Sequence, residues 1–183
     1  MKKSPLALIF IALLFFTSCN EYLSPVPAGP VSKSKILPEY LGLWEYVGQT
    51  NDSNKNINNE SPHYLMIYGF NKHEYLIQMV MRDTVVKADA FQGLHRGFIS
   101  EINGYHIVNF VELTKTEDAG YFIYNFGMKN DTFWVHGFDR YKMDKTFNSS
   151  CKLRSYLKKY LNDPSVFTPT SYYIKTEKID FYL

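Results

Sequence analysis

From Tyr40 to Tyr141 short apolar runs rich in Tyr, Phe, Val and Ile alternate with Gly, Asn and Asp, the pattern of strands separated by turns. It predicts eight strands, near 41–50, 63–70, 74–81, 84–91, 95–102, 105–114, 120–128 and 131–141. The links Asn71-Lys72, Arg82-Asp83, Asn103-Gly104 and Lys129-Asn130 are short enough to join only antiparallel neighbours, and Asn-Gly favours a type I′ hairpin. Gly93-Leu94-His95-Arg96-Gly97 reads as a further turn. Asn51 to Pro62 is long, polar and asparagine-rich, which predicts a loop over one end of the structure.

At Asn148 the period changes. Leu153, Leu157, Tyr160 and Leu161 fall at i, i+4, i+7 and i+8, one face of a helix spanning about 149–162. Asn148 or a following serine can cap it, and Asn162-Asp163-Pro164 ends it. A strand-like tail, Tyr172 to Phe181, follows. Together these elements predict a mainly β fold, an eight-stranded antiparallel up-and-down barrel in which closure removes both sheet edges. The C-terminal α-helix would lie outside the barrel or across one end. An open β-sandwich of the same strands is the alternative.

The N-terminus has another character. Lys2 and Lys3 precede an apolar run from Leu6 to Phe16, then Thr17-Ser18-Cys19, the layout of a cleaved secretory signal over residues 1–18. A membrane-spanning helix needs roughly 20 apolar residues, more than this run supplies. Phe16-Thr17-Ser18-Cys19 resembles the lipobox of bacterial lipoproteins, with Phe16 where an aliphatic residue is usual. That resemblance implies acylation of Cys19, with palmitate-like chains, and a cell-envelope location anchored in a membrane. Asn20 rather than aspartate after the cysteine implies the outer membrane. The alternative is an ordinary secretory signal with a chance cysteine. Residues 19–38 hold Pro25, Pro27, Pro30 and Pro38 without apolar periodicity, and read as a tether. At about 3.1 Å per residue its reach would be on the order of 50 Å. The folded domain would then be 39–183.

Processing changes the charge. The chain has 20 basic and 18 acidic residues; loss of Lys2 and Lys3 leaves 18 against 18. Apparent basicity disappears, and no composition-level case for nucleic acid survives. With Cys19 acylated, Cys151 is the one remaining cysteine, which leaves no internal disulfide.

In Glu39-Tyr40-Leu41-Gly42-Leu43-Trp44-Glu45-Tyr46-Val47-Gly48 a glycine stands two residues before one of only two tryptophans. Gly42-Leu43-Trp44 at the head of the first strand, before a meander and a helix, is similar to the lipocalin and wider calycin arrangement. The resemblance implies that Trp44 plugs the narrow end of the barrel and that Arg140, late in the last strand, packs over its indole. A plain core role for Trp44 is the alternative.

Chemistry is sparse. A nucleotide-binding glycine loop, a zinc-protease helix and a nucleophile elbow are all missing from the sequence. His63, His73, His95, His106 and His136 are scattered without metal-ligand spacing, although His106 and His136 could face a lumen. No metal, cofactor or catalytic residue is expected, and the protein is read as a non-enzyme. The aromatic content, 15 Tyr and 14 Phe, is the stronger signal. Tyr68, Tyr75, Met79, Tyr124, Trp134 and His136 are the candidates to line an amphipathic pocket, and the same side chains could instead fill the barrel. The expected partners are therefore a membrane, through lipid on Cys19, and a hydrophobic or amphipathic small molecule. An envelope protein is the alternative partner, contacted through loop 51–62 and the surface of helix 149–162.

Overall fold

The computed structural model describes residues 22–50, 64–83, 88–113, 120–143 and 145–178. Cys19, the lipobox, His63 and the loop 51–62 lie outside the described residues. The strands are β1 (Leu23–Ser24), β2 (Gly42–Thr50), β3 (Tyr64–Gly69), β4 (Tyr75–Asp83), β5 (Ala88–Ile102), β6 (Tyr105–Glu112), β7 (Tyr121–Lys129), β8 (Thr132–Gly137) and β9 (Thr170–Thr176). Among the described residues one α-helix, α1 (Ser150–Tyr160), stands between β8 and β9.

Strands β2 to β9 pair with their neighbours in chain order, all antiparallel, and β9 returns to β2. The sheet is a closed eight-stranded barrel, and β1 adds two residues to the start of β7. Local chemistry explains the tight corners. Asn103-Gly104 and Asn130-Asp131 each place two residues at positive φ, as a type I′ turn requires. Between β3 and β4, the Asn71 side chain accepts hydrogen bonds from the amides of His73 and Glu74, which makes that link longer than two residues.

Two strand expectations need correction. Gly93 to Gly97 is not a turn but lies inside the 15-residue β5. Register shifts opposite Gln78 and Met79, which leaves Gly93 as the extra residue of a bulge. A Cβ at Gly97 would sit 3.0 Å from Cβ of Phe110, so this glycine serves close strand packing. Residues 88–91, expected in a strand of their own, therefore belong to β5, and the eighth barrel strand is the tail, β9.

The barrel has a closed end and an open end. At the closed end, a one-turn helix at Pro38–Tyr40 pushes the Tyr40 ring between His106, Phe126 and Phe133. The Trp44 indole donates to the carbonyl of Tyr40 at 3.0 Å and packs on Phe133. With Leu65, Ile67, Tyr75 and Ile99 these side chains form the inner core. A second core lies outside the barrel wall, where Leu153, Leu157 and Leu161 cover Ile102, Ile107 and Ile123. The apolar helix face thus packs on the outer surface. Ser149 caps α1, its hydroxyl accepting from the Lys152 amide.

Residues 22–38 also depart from the expected tether, because they belong to the domain. Tyr22, Ser24, Ala28 and Ser34 are buried. The Asn109 carboxamide accepts from the Ala28 amide at 2.6 Å and donates to the Phe98 carbonyl and the Ser100 hydroxyl. Ser34 accepts from the Ile99 amide at 2.9 Å. Proline-rich chain without periodicity can still be docked when buried side chains satisfy its backbone groups.

Candidate functional site

Inward-facing residues divide the lumen. Around Tyr40, Ile67, Tyr75, Ile77, Ile99, Val108, Phe126 and Phe133 it is nearly solid, with a void of about 40 Å³. Toward the open end there is a cavity of about 240 Å³ lined by Gln49, Leu65, Met79, Phe110, Tyr124, Val135, His136, Gly137, Thr168, Pro169, Ser171 and Tyr173. Strand register orders these side chains by depth. Leu65 pairs with Trp44 and Tyr173 with Tyr46, toward the closed half, whereas Gln49 pairs with Ser171 near the open rim. The walls carry a stacked aromatic group, with Phe110 5.1 Å from Tyr124 and 5.3 Å from Phe122. The cavity is apolar in depth and polar at its mouth.

The six residues expected at a binding site do not all meet there. Met79 and Tyr124 line the cavity, and His136 touches its rim. Tyr75 faces inward but belongs to the closed half. Its hydroxyl accepts from the Leu37 amide at 2.7 Å and donates to the Lys35 carbonyl at 3.1 Å, so this phenol secures the plug. Tyr68 is on the outer face of β3 and half exposed, and so does not line the lumen. Trp134 is outside too: its indole lies on Gly127, where a Cβ would come within 2.6 Å of the ring. With Tyr172, Thr132, Lys129 and one side of His136 it lines an outer groove of about 470 Å³. The His136 ring stacks on Phe167 at 4.0 Å, and its nitrogens meet Thr170 Oγ1 and Asn125 Nδ2, both at 3.0 Å.

Trp44 is buried at the closed end, but the cation over its indole is not the one expected. Lys175 Nζ from β9 lies 5.5 Å from the ring centroid, while Arg140 follows β8 in an exposed turn, its guanidinium 5.6 Å from the Tyr141 ring. The reason is connectivity. The strand beside β2 at barrel closure is β9, so β9 supplies the cation. Gly42, at φ +129°, permits this arrangement, since a Cβ there would sit 2.9 Å from Lys175 Cε.

Among the remaining histidines, His106 Nδ1 lies 2.8 Å from the Tyr40 hydroxyl and His73 Nδ1 lies 2.7 Å from the Ser34 carbonyl. No three metal-binding side chains gather among the described residues. Burial pushes the Tyr40 phenol up to about 12, aided by the nearby Glu39 and Tyr75, and burial also raises Tyr75. Both rings enter the plug as neutral phenols.

Sequence reasoning missed Phe110, Leu65, Val135, Tyr173, Gln49, Thr168 and Ser171. Alternation was a usable signal in His106-Ile107-Val108-Asn109-Phe110, where the even positions share the inner face. No protein-family model matches the chain, and no curated protein or solved structure does so significantly.

Proposed function

We propose that this is a lipid-anchored protein of the bacterial cell envelope that holds a small hydrophobic or amphipathic molecule in the open half of its barrel. The observation that carries the reading is the graded cavity. Leu65, Met79, Phe110, Val135 and Tyr173 offer apolar contact, and Gln49, Thr168 and Ser171 offer polar groups at the rim. At about 240 Å³ the space is slightly below the roughly 300 Å³ at which drug-sized sites begin, so the occupant is small or slender. The lipobox-like Phe16-Thr17-Ser18-Cys19 supports the anchor, and Asn20 supports the outer membrane.

A second reading, a protein-binding envelope component, is favoured by Tyr68 and Phe70, which are 50% and 54% exposed at the closed end. Native mass spectrometry of protein purified from its own envelope separates the two. Ligand binding predicts one small molecule per folded chain, released on denaturation. A folded chain that always emerges bare, or bound to another protein, overturns it. For the anchor, Cys19→Ser should shift the protein from membranes to the soluble fraction.

A further inference from the structure

The chain joins the domain at the open end of the barrel. The Tyr22 amide donates to the Phe138 carbonyl at 2.9 Å, and the Tyr22 hydroxyl donates to the Lys145 carbonyl at 3.1 Å. Leu23 and Ser24 then pair with Phe122 and Tyr121, at the beginning of β7. Phe138 follows Gly137, a rim residue of the cavity whose amide donates to the rim residue Thr168 at 3.0 Å. Tyr22, the first described residue, is therefore held one residue from the cavity mouth.

Only Asn20 and Glu21 separate Tyr22 from Cys19. Three fully extended residue steps cover roughly 10 Å at most. A lipid on Cys19 would hold the open end of the barrel within that distance of the bilayer, on a leash far shorter than the proline-rich composition suggests.

The surface around this point is suited to an interface. Tyr141 is 64% exposed and stands between the exposed Arg140 and Lys142, with Lys145 exposed nearby. Leu23 and Leu113, 46% and 42% exposed, lie at the same end. Aromatic and aliphatic side chains flanked by cations suit the headgroup region of an anionic membrane. The segment also holds two acidic residues: Asp139, whose carboxylate accepts from the Tyr141 amide at 2.8 Å, and Asp144, which lies outside the described residues, so three cations stand against two carboxylates. The exposed Tyr68 and Phe70 at the closed end lack any comparable covalent reason to approach lipid.

Resting on the lipid-anchored, lumen-binding reading, we propose that the mouth of the barrel faces the bilayer and takes up a single-chain fatty-acyl amphiphile directly from it. The chain would pass into the space between Phe110, Met79 and Tyr124, and its headgroup would stay with Gln49, Thr168 and Ser171. A cavity of about 240 Å³ holds about eight groups of water size, each displacing about 30 Å³. That is enough for part of one chain and too little for two.

The test uses full-length acylated protein in vesicles of phosphatidylethanolamine and phosphatidylglycerol, with photoreactive benzoylphenylalanine replacing either Tyr141 or Phe70. Lipid adducts at position 141 should exceed those at 70 at least tenfold; equal yields, or an excess at 70, overturn the orientation. In a second arm the vesicles carry a diazirine-bearing single-chain fatty acid. Labelling of peptides containing Met79, Phe110 and Tyr124 supports uptake, and label confined to outer-surface peptides overturns it. Intact mass and a detergent control distinguish the failures. Protein without acyl groups on Cys19 overturns the anchored reading and this proposal together. Acylated protein that takes the probe into its lumen in detergent but crosslinks at 70 in vesicles overturns the orientation alone.

Discussion

The two halves of the lumen are built from the same residue types and are put to opposite uses. In the closed half, Tyr40, Tyr75, Phe126 and Phe133 interlock with Trp44; the segment that crosses the barrel end engages the Tyr75 phenol, and its own Tyr40 phenol meets His106 of β6. In the open half, Phe110 and Tyr124 stand beside empty space, with Tyr173 of the closed half at its base. Aromatic content alone does not separate a core from a site. What separates them is whether a neighbouring segment supplies a ring such as Tyr40 to fill the middle and backbone groups to satisfy the hydroxyls.

The largest expected effect tests that division by truncation. Trp44→Ala removes a fully buried indole and its hydrogen bond, and should cost about 3–5 kcal/mol, because the surrounding rings can collapse only in part. Phe110→Ala, which widens a cavity already present beside a half-buried ring, should cost about 1–2 kcal/mol. Urea unfolding of the two variants gives both values, and equal losses would erase the distinction. Next in size is Asn109→Ala. It strands the buried Ala28 amide, with a loss of about 1–3 kcal/mol. Protease cleavage within residues 22–34 should rise in step, and unchanged cleavage would show that the segment docks without this carboxamide.

The closed half should also carry an alkaline signature. Folding favours the neutral Tyr40 phenol, since burial raises it from 10.0 to about 12. The stabilisation is complete below pH 10, where unfolded and folded chains are both protonated. It is lost between pH 10 and 12 as the unfolded tyrosine ionises first, a decline on the order of 2 kcal/mol. Tyr75 contributes with the same sign. Denaturant midpoints from pH 8 to 11 for wild type and Tyr40→Phe check this, and a variant that declines as steeply as wild type would remove Tyr40 as the source.

How much of this was legible in the sequence depends on the range of the interaction. The Asn103-Gly104 turn and the face formed by Leu153, Leu157 and Leu161 depend on residues a few positions apart, and both could be read directly. Gly97 could not, because a glycine needed for close approach to Phe110 looks like a glycine needed for a turn. Residues 22–38 have the composition of a linker; their docking depends on Asn109 and Ser34 meeting partners more than sixty positions away. In Thr132-Phe133-Trp134-Val135-His136 both parities are aromatic or apolar. The facing follows from distant partners: Trp134 packs outside on Gly127 across the strand pair, and Phe133 packs inside against Tyr40 and Trp44. The cation on Trp44 was misassigned because the order of barrel closure, which selects Lys175 over Arg140, is a property of the whole chain.

The smallest effect gives the finest discrimination between the halves. Valine to methionine adds volume and a flexible thioether, and in a packed interior such enlargement costs about 1–3 kcal/mol through forced rotamers and backbone shifts. Val108 borders the void of about 40 Å³, where the added atoms would meet Phe126 and Ile99, so Val108→Met should show a loss of that size. Val135 borders the cavity of about 240 Å³, so in Val135→Met the longer side chain can extend into open space with a change within about 0.5 kcal/mol. The same substitution should reduce occupancy by any molecule that shares the cavity, and Val108→Met should leave occupancy nearly unchanged once the protein is folded. Stability by urea titration and occupancy by native mass spectrometry, measured on both variants, should therefore separate: Val108→Met lowers the first alone and Val135→Met the second alone. If they move together, the lumen is a single compartment and the open half has no separate role.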